Sequence, residues 1–383
     1  MAGVYVHIPF CASRCSYCDF FSTLSLAKTG EAYVEALIAE ARLRRDELRG
    51  ESVKTLYLGG GTPSQLPVPL LGRLVAGLKG VLDLCGVEEF TVEANPDDVT
   101  PEWCAALPRL GVNRMSMGVQ SFEDAVLHFI GRRHTAWQAV EAVANLRSAG
   151  IANISIDLIY GLPGQTVSSW TNSVRQALDL TPQHISAYGL TYEEGTRLWL
   201  QREQGEVAEV PEQQCLEMYR ILVSQLQSAG YEHYEISNFA LPGYHSRHNS
   251  SYWDDTPYLG LGAAAHSYDG NVRRSNPNDL QDYIDKIQAG ELAFEQEKLT
   301  WQERYDERVM LGLRTSRGVD AARLREDFGD EAWRYFTREA QRHIDAGNLR
   351  LADDNRYVLT SDGIMLSDSV MRDLMWDESF QVR

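Results

Sequence analysis

Three cysteines fall within eight positions near the start of the chain, in Tyr5-Val6-His7-Ile8-Pro9-Phe10-Cys11-Ala12-Ser13-Arg14-Cys15-Ser16-Tyr17-Cys18-Asp19-Phe20. Spaced C-x3-C-x2-C in a loop after a short apolar run, Cys11, Cys15 and Cys18 can fold around one compact inorganic core. A cubane iron–sulfur cluster ordinarily takes four thiolates. Three protein ligands leave one iron open, which a catalytic metal needs and a structural one avoids. Zinc is the competing reading, with His7 as the nearest fourth ligand. Zinc modules usually pair two C-x2-C-like halves far apart in sequence, and no second half is present. Cys85, Cys104 and Cys215 stand alone in helical or apolar contexts and read as small buried hydrophobes. Six cysteines in 383 residues are too few for a disulfide scaffold.

Other residue types able to bind or orient a ligand follow at intervals. Gly59-Gly60-Gly61-Thr62-Pro63 closes an apolar run but lacks the Gly-Lys-Ser/Thr ending of a phosphate loop. Its glycines let the backbone approach a ligand closely. Glu93 and Asp157 are carboxylates able to accept from amino or hydroxyl groups, and Arg132 can clamp a carboxylate in bidentate fashion.

The elements that position these groups alternate. Strands are predicted at Val4–Ile8, Val53–Leu58, Glu89–Glu93, Arg114–Val119, Asn153–Ile159 and His184–Leu190. Helices are predicted near Tyr33–Leu48, Val68–Leu82, Pro101–Leu107, Trp137–Ala149 and Ser168–Leu178. The strand runs are short and continuously apolar, as expected of strands buried on both faces of a parallel sheet. Six such units, strand first, predict an α/β fold, an open and partial (β/α)6 TIM-like barrel, since the rhythm is lost after Tyr192. Chemistry in such folds sits at the carboxyl ends of the strands. There the sequence places the cysteines, the glycines, Glu93, Gln120 and Asp157.

Beyond the barrel the pattern predicts an amphipathic helix over Val210–Ala229, a strand over Tyr231–Phe239 and an aromatic, His-rich segment up to Tyr268. Helices near Trp301–Thr315, Ala321–Glu326 and Glu331–Ala346 precede a two-stranded wing, Leu349–Ala352 with Tyr357–Thr360, and a last helix over Gly363–Trp376. This reads as a C-terminal winged-helix-like domain. The chain divides into 1–230, the barrel; 231–285, an extension of it; and 286–383, the helical module.

A formal net charge of −18 argues against non-specific binding to nucleic acid or anionic lipid. The clusters Arg42/Arg44/Arg45, Arg132/Arg133 and Arg273/Arg274 read as solvated faces. No apolar stretch approaches the roughly 20 residues of a membrane helix. The first ten residues lack the pattern of a secretory signal. The expectation is a cytoplasmic protein with no membrane span, peripheral membrane contact being left open.

C-x3-C-x2-C after the first strand of a βα barrel resembles the radical SAM superfamily. That resemblance implies a 4Fe–4S cluster whose open iron chelates S-adenosylmethionine (SAM), with one electron cleaving it to methionine and a 5′-deoxyadenosyl radical. Over nearly the whole chain the sequence is similar to the oxygen-independent coproporphyrinogen oxidases. By that similarity Tyr5, Gly60 and Glu93 match contacts to the cluster-bound SAM. Gly61, Thr62, Gln120, Arg132 and Asp157 match contacts to a second SAM. Those oxidases carry a further cysteine where this chain has Phe20, and an extension before the first strand, where this chain has only Met1–Val4 ahead of Tyr5.

His248-Asn249-Ser250-Ser251-Tyr252-Trp253 resembles the H-N-x-x-Y-W motif of the HemW family, regarded as heme chaperones. The resemblance implies heme binding at His248, Asn249, Tyr252 and Trp253. A neutral imidazole suits axial ligation of heme iron, and the two aromatic rings suit stacking on a porphyrin. His245 and His266 are alternative ligands, and a structural His–Asn turn beside buried aromatics is the plain alternative. The implied function is a heme chaperone that carries heme to an apo-hemoprotein of the respiratory chain. An electron donor such as flavodoxin or ferredoxin is implied, as is a monomer or cluster-dependent homodimer. The alternatives are a coproporphyrinogen III oxidase and a radical SAM enzyme acting on heme itself. Cleavage of SAM in the working cycle is left open.

Overall fold

The computed structural model describes residues 1–377 apart from positions 49, 293 and 353. The predicted apolar runs form six parallel strands: β1 (Ala2–Ile8), β2 (Val53–Gly60), β3 (Glu89–Ala94), β4 (Arg114–Gln120), β5 (Asn153–Tyr160) and β6 (His184–Gly189). Parallel strands are covered on both faces, which is why Val4, Val6, Leu58, Val92, Met115, Met117, Ile154 and Ile156 are all buried. The register sets Tyr5 beside Tyr57 and Ile8 beside Gly60, so the strands end together and their loops open on one mouth.

Helices on the outer face are α1 (Leu26–Arg44), α2 (Val68–Lys79), α3 (Pro101–Cys104), α4 (Leu107–Leu110), α5 (Asp124–Phe129), α6 (Ala136–Ser148) and α7 (Val167–Asp179). Capping boxes start two of them, Thr135 with Gln138 before α6 and Thr166 with Ser169 before α7. The helix expected over Pro101–Leu107 divides into α3 and α4. Pro108, with no N–H to donate, sits in the first turn of the second piece.

After β6 come α8 (Arg197–Glu203), α9 (Glu212–Ser228) and a hairpin, β7 (Glu232–Glu235) with β8 (Asn238–Ala240), which pairs antiparallel with β6. The single strand expected over Tyr231–Phe239 is thus two. The Glu235 carboxylate accepts the Ser237 N–H (2.9 Å) and an Asn238 amide hydrogen, and so turns the chain between them. The chain then crosses beneath the amino ends of the barrel strands through α10 (Arg247–Ser251). It emerges as β9 (Tyr258–Leu261), parallel to β1 on the opposite edge. β10 (His266–Tyr268), β11 (Val272–Ser275) and β12 (Glu295–Lys298) continue the sheet antiparallel, with α11 (Leu280–Gln288) before β12. Among the described residues twelve strands result, in an open order, with the six βα units at the centre.

This extension is pinned by Arg44, whose side chain is 0% exposed. Its guanidinium donates to Glu40 (2.9 Å), Glu47 (2.9 Å), the Gly260 carbonyl (2.8 Å) and Ser267 Oγ (2.8 Å).

A second core, around Tyr305, Val309, Leu313, Leu324, Phe336, Val370 and Leu374, belongs to the C-terminal part. α12 (Trp301–Arg314), α13 (Ala321–Asp345), α14 (Ser361–Met365) and α15 (Ser367–Leu374) surround a sheet of β13 (Val319–Asp320), β14 (Leu349–Leu351) and β15 (Arg356–Leu359). The wing gains a third strand over expectation. Both helices expected before it are present within α13, separated where Gly329 takes the non-helical φ 87°. The last predicted helix is α14 and α15. Among the described residues no helix is long and apolar enough to cross a membrane.

Candidate functional site

The carboxyl ends of β1–β6 enclose a cavity of about 430 Å³ whose wall includes Cys11, Cys15, Cys18, Gly60, Glu93 and Arg132. The cysteine loop is tied at both ends. Cys11 N–H donates to the Thr23 carbonyl (2.9 Å) and Thr23 N–H to the Pro9 carbonyl (2.7 Å), while buried Phe10 meets Tyr33 edge-on at 5.4 Å. Its middle is held by Ser16 N–H to Ile130 O (3.0 Å) and Leu198 N–H to Ser16 O (2.8 Å). The loop is therefore preset, and all three thiols face the one mouth.

Burial pushes the Cys11 thiol up, with Cys15 adding to the effect; burial pushes Cys18 up to about 11, the neighbouring thiols contributing. Thiols so placed disfavour one another's ionisation, and cations are required to hold them as thiolates. Iron would supply them. Among the described residues no three His, Cys, Asp or Glu side chains converge on a single-ion site. His7, the nearest fourth ligand for zinc, has Nδ1 against the Tyr5 hydroxyl (3.1 Å) and Nε2 against the Phe21 carbonyl (3.0 Å).

The glycine segment passes directly over the end of β1. A Cβ on Gly61 would lie 2.7 Å from the Pro9 carbonyl carbon, so only glycine lets the two loops cross here. Thr62 Oγ1 reaches within 3.3 Å of Cys11 Sγ. Glu93 accepts the Gly60 N–H (3.0 Å) and the Tyr57 hydroxyl (2.6 Å). Burial nevertheless pushes its carboxyl up to about 7, with repulsion from Asp157 adding to it. Such a carboxyl is poised to accept from a cationic or strongly donating group. Asp157 takes hydrogen bonds from Ser116 (3.2 Å) and Ser155 (3.4 Å), and burial raises it too. Gln120 is left-handed, φ 66°, at a register shift between β4 and β5, a conformation that costs energy and turns its side chain out of the strand pattern. Arg132 donates to Asn95 Oδ1 (2.6 Å) and to the Gly118 carbonyl, lies 3.6 Å from Cys15 Sγ, and keeps a buried Nε without a partner.

Gly60, Gly61, Thr62, Glu93, Gln120, Arg132 and Asp157 thus share the mouth with the cysteines. Tyr5 does not line it. It lies within the barrel, beside the stacked pair Tyr57 and His248, with its ring centre 6.1 Å and 6.3 Å from theirs. Phe20 projects from the mouth, 62% exposed.

The His248 motif lies at the far end, under the barrel floor. His248 is 1% exposed; Nδ1 meets Thr55 Oγ1 at 2.8 Å, Nε2 meets the Tyr252 hydroxyl at 2.9 Å, and the ring stacks on Tyr57 at 5.0 Å. Burial, with Arg114 nearby, pushes it down to about 3, so the ring is a neutral plug. Ligation of iron by this ring requires one of its two bonds to open. Asn249 lies in the same helical turn, its N–H toward Ser246 Oγ (3.4 Å). Trp253 lies under the Arg314 guanidinium, 4.6 Å from its ring centre. His245 is part-exposed, its Nε2 on Glu232 (2.7 Å) and its ring on Tyr234 (4.2 Å).

Three residues of these two ends escape a reading of the sequence. Asn95 orients Arg132, and it carried a signal in following Glu93 at a strand end. Tyr188 lines the mouth from the end of β6. Arg114 is buried at the start of β4 with Nε and Nη1 unpartnered, its charge felt by Glu93, Asp157, His184 and His248. Nothing in its sequence neighbourhood marks it.

Residues 5–177 match the radical SAM superfamily and residues 299–366 the HemN C-terminal domain. The heme chaperone HemW of Lactococcus lactis is 37% identical over 376 residues, covering 98% of this chain and 98% of that protein. The heme chaperone HemW of Bacillus subtilis is 36% identical over 372 residues, covering 97% and 98%. In fold, the chain is similar to coproporphyrinogen III oxidase (HemN) from Escherichia coli, with a TM-score of 0.84 and 23% identity over 98% of this chain and 90% of that one.

Proposed function

The chain belongs to the HemW family of radical SAM proteins, and from that premise we propose that it is a SAM- and iron–sulfur-binding heme chaperone, which binds heme and passes it to an apo-hemoprotein of the respiratory chain. The observation that carries the reading is the thiol triad, Gly60 cradle and raised Glu93 carboxyl sharing one mouth, in a chain whose near-full-length relatives are named heme chaperones. Cys11, Cys15 and Cys18 hold a 4Fe–4S cluster. Tyr5, Gly60 and Glu93 serve a SAM on its open iron, Glu93 directly by accepting from the amino group and Tyr5 from below by fixing the floor of the site. Gly61, Thr62, Gln120, Arg132 and Asp157 bind further adenosyl or carboxylate groups in the same mouth. When bound, a reduced cluster supplies one-electron reduction of a sulfonium. The protein's own part is to orient the ligand, to keep Arg132 beside Cys15, and to exclude water with the tied loop.

Phe20, standing where the oxidases have a further cysteine, separates this reading from coproporphyrinogen decarboxylation. Anaerobically reconstituted protein tests it. Heme binding and transfer to an apo-cytochrome, without conversion of coproporphyrinogen, is the expected result. Coproporphyrinogen turnover without heme transfer would overturn it.

A further inference from the structure

Beneath the barrel, at the end away from the cysteines, a cavity of about 750 Å³ separates the floor from the C-terminal domain. Its size lies within the roughly 300–1,000 Å³ of small-ligand sites. The floor side presents Trp253 and the His245 ring, which stacks over buried Tyr234. The C-terminal side is cationic.

On a chain of net charge −18, five arginines line this one cleft against four aspartates. Most are already matched: Arg308 with Asp255 and Asp327, Arg356 with Asp320 and Asp354, and Arg323 near Asp327. Arg317 and Arg350 have no ion-pair or hydrogen-bond partner among the described residues. Two unmatched guanidiniums facing an aromatic wall fit a flat apolar ligand that carries two carboxylates. Arginine is also the side chain best shaped to take carboxylates.

The third element is His245. One ring nitrogen rests on the Glu232 carboxylate, as second-shell carboxylates orient metal-ligating histidines, and Nδ1 has no hydrogen-bond partner among the described residues. It is the part-exposed imidazole of this floor, whereas His248, three residues on, has both nitrogens engaged.

We propose that this cleft is the heme cargo site. The porphyrin lies against Trp253, its propionates reach Arg317 and Arg350, and the His245 nitrogen that Glu232 leaves free coordinates the iron. This assignment rests on the heme-chaperone reading above and adds a place to it. Cargo and SAM then occupy opposite ends of the barrel, and both can be bound at once.

The test is a titration of the full-length chain with hemin, followed by the Soret band, and with iron-free protoporphyrin IX, followed by tryptophan quenching. Arg317→Glu/Arg350→Glu is expected to weaken binding of both by at least about tenfold. Arg317→Lys/Arg350→Lys keeps the charge and is expected to recover most of that loss. Both arginines are exposed, so thermal unfolding should match the parent and exclude misfolding. His245→Ala should shift the Soret band while protoporphyrin still binds. Parental hemin affinity in the glutamate pair, or an unmoved Soret band in His245→Ala, overturns the cleft assignment but leaves the chaperone reading intact. Failure of the parent chain to bind hemin overturns both.

Discussion

Replacing Glu93 by Gln is expected to stabilise the chain in the absence of cluster and SAM while damaging its SAM site. Burial, with Asp157 adding, pushes the Glu93 carboxyl from 4.5 to about 7, although Tyr57 and the Gly60 N–H pull the other way. The folded chain therefore holds this proton more tightly than the unfolded one. Stability falls as pH rises from 4.5 to about 7, where the folded group finally ionises, and levels off above. At about 1.4 kcal/mol for each tenfold change in proton affinity, the full loss is about 3 kcal/mol. Glu93→Gln has no charge to desolvate, and its amide can still accept from Gly60 and donate to Tyr57. It is expected to equal the parent near pH 4 and to exceed it by up to about 3 kcal/mol at pH 8, roughly 5 °C in Tm. Thermal unfolding by circular dichroism across that range, on unreconstituted protein, measures the difference. With cluster and SAM present the order is expected to reverse, because the parent carboxylate gains the amino group of the ligand. A difference between variant and parent that does not grow with pH would refute the reasoning.

Cys15→Ala is expected to drop iron from about four per chain to near none after anaerobic reconstitution, while hemin binding at the opposite end persists; iron and sulfide analysis beside a hemin titration checks both. His248→Ala removes a stacked, doubly bonded ring and strands the Thr55 and Tyr252 hydroxyls, so denaturant unfolding should show a loss of about 2–4 kcal/mol. Arg44→Met leaves Glu40 buried without its cation, although Tyr283, Asn276 and the Gly262 N–H still bond it. About 3–5 kcal/mol should be lost on unfolding, with earlier proteolysis of the β9–β10 edge.

The barrel was legible because its short strands, bounded by turn residues, set buried apolar side chains at alternate positions, Val4, Val6 and Ile8 in β1 and Ile154, Ile156 and Leu158 in β5. The mouth was legible because parallel strands all deliver their loops to one end, so Cys11, Gly60, Glu93 and Asp157 had to meet. The floor was not. His248 approaches Thr55 and Glu89 only because the chain recrosses the barrel from β8 to β9, and no local pattern encodes that crossing. β9 to β12 are short and half-polar, Val272–Ser275 being only partly buried throughout, so period and hydropathy leave them unmarked. Tyr231–Phe239 read as one strand because its turn depends on Glu235 folding back on Ser237 and Asn238 rather than on glycine or proline. Arg114 and Arg44 look like surface residues by type, and only their tertiary partners explain their burial.

The central claim is that the three cysteines serve a heme carrier rather than a porphyrinogen oxidase. One anaerobic sample, reconstituted with iron and sulfide and divided in two, tests it most directly. One half is given coproporphyrinogen, SAM and a reductant; the other is loaded with heme and mixed with an apo-cytochrome. Unchanged coproporphyrinogen together with appearance of the holo-cytochrome spectrum is the predicted result. Protoporphyrinogen formation with no transfer of heme would contradict it.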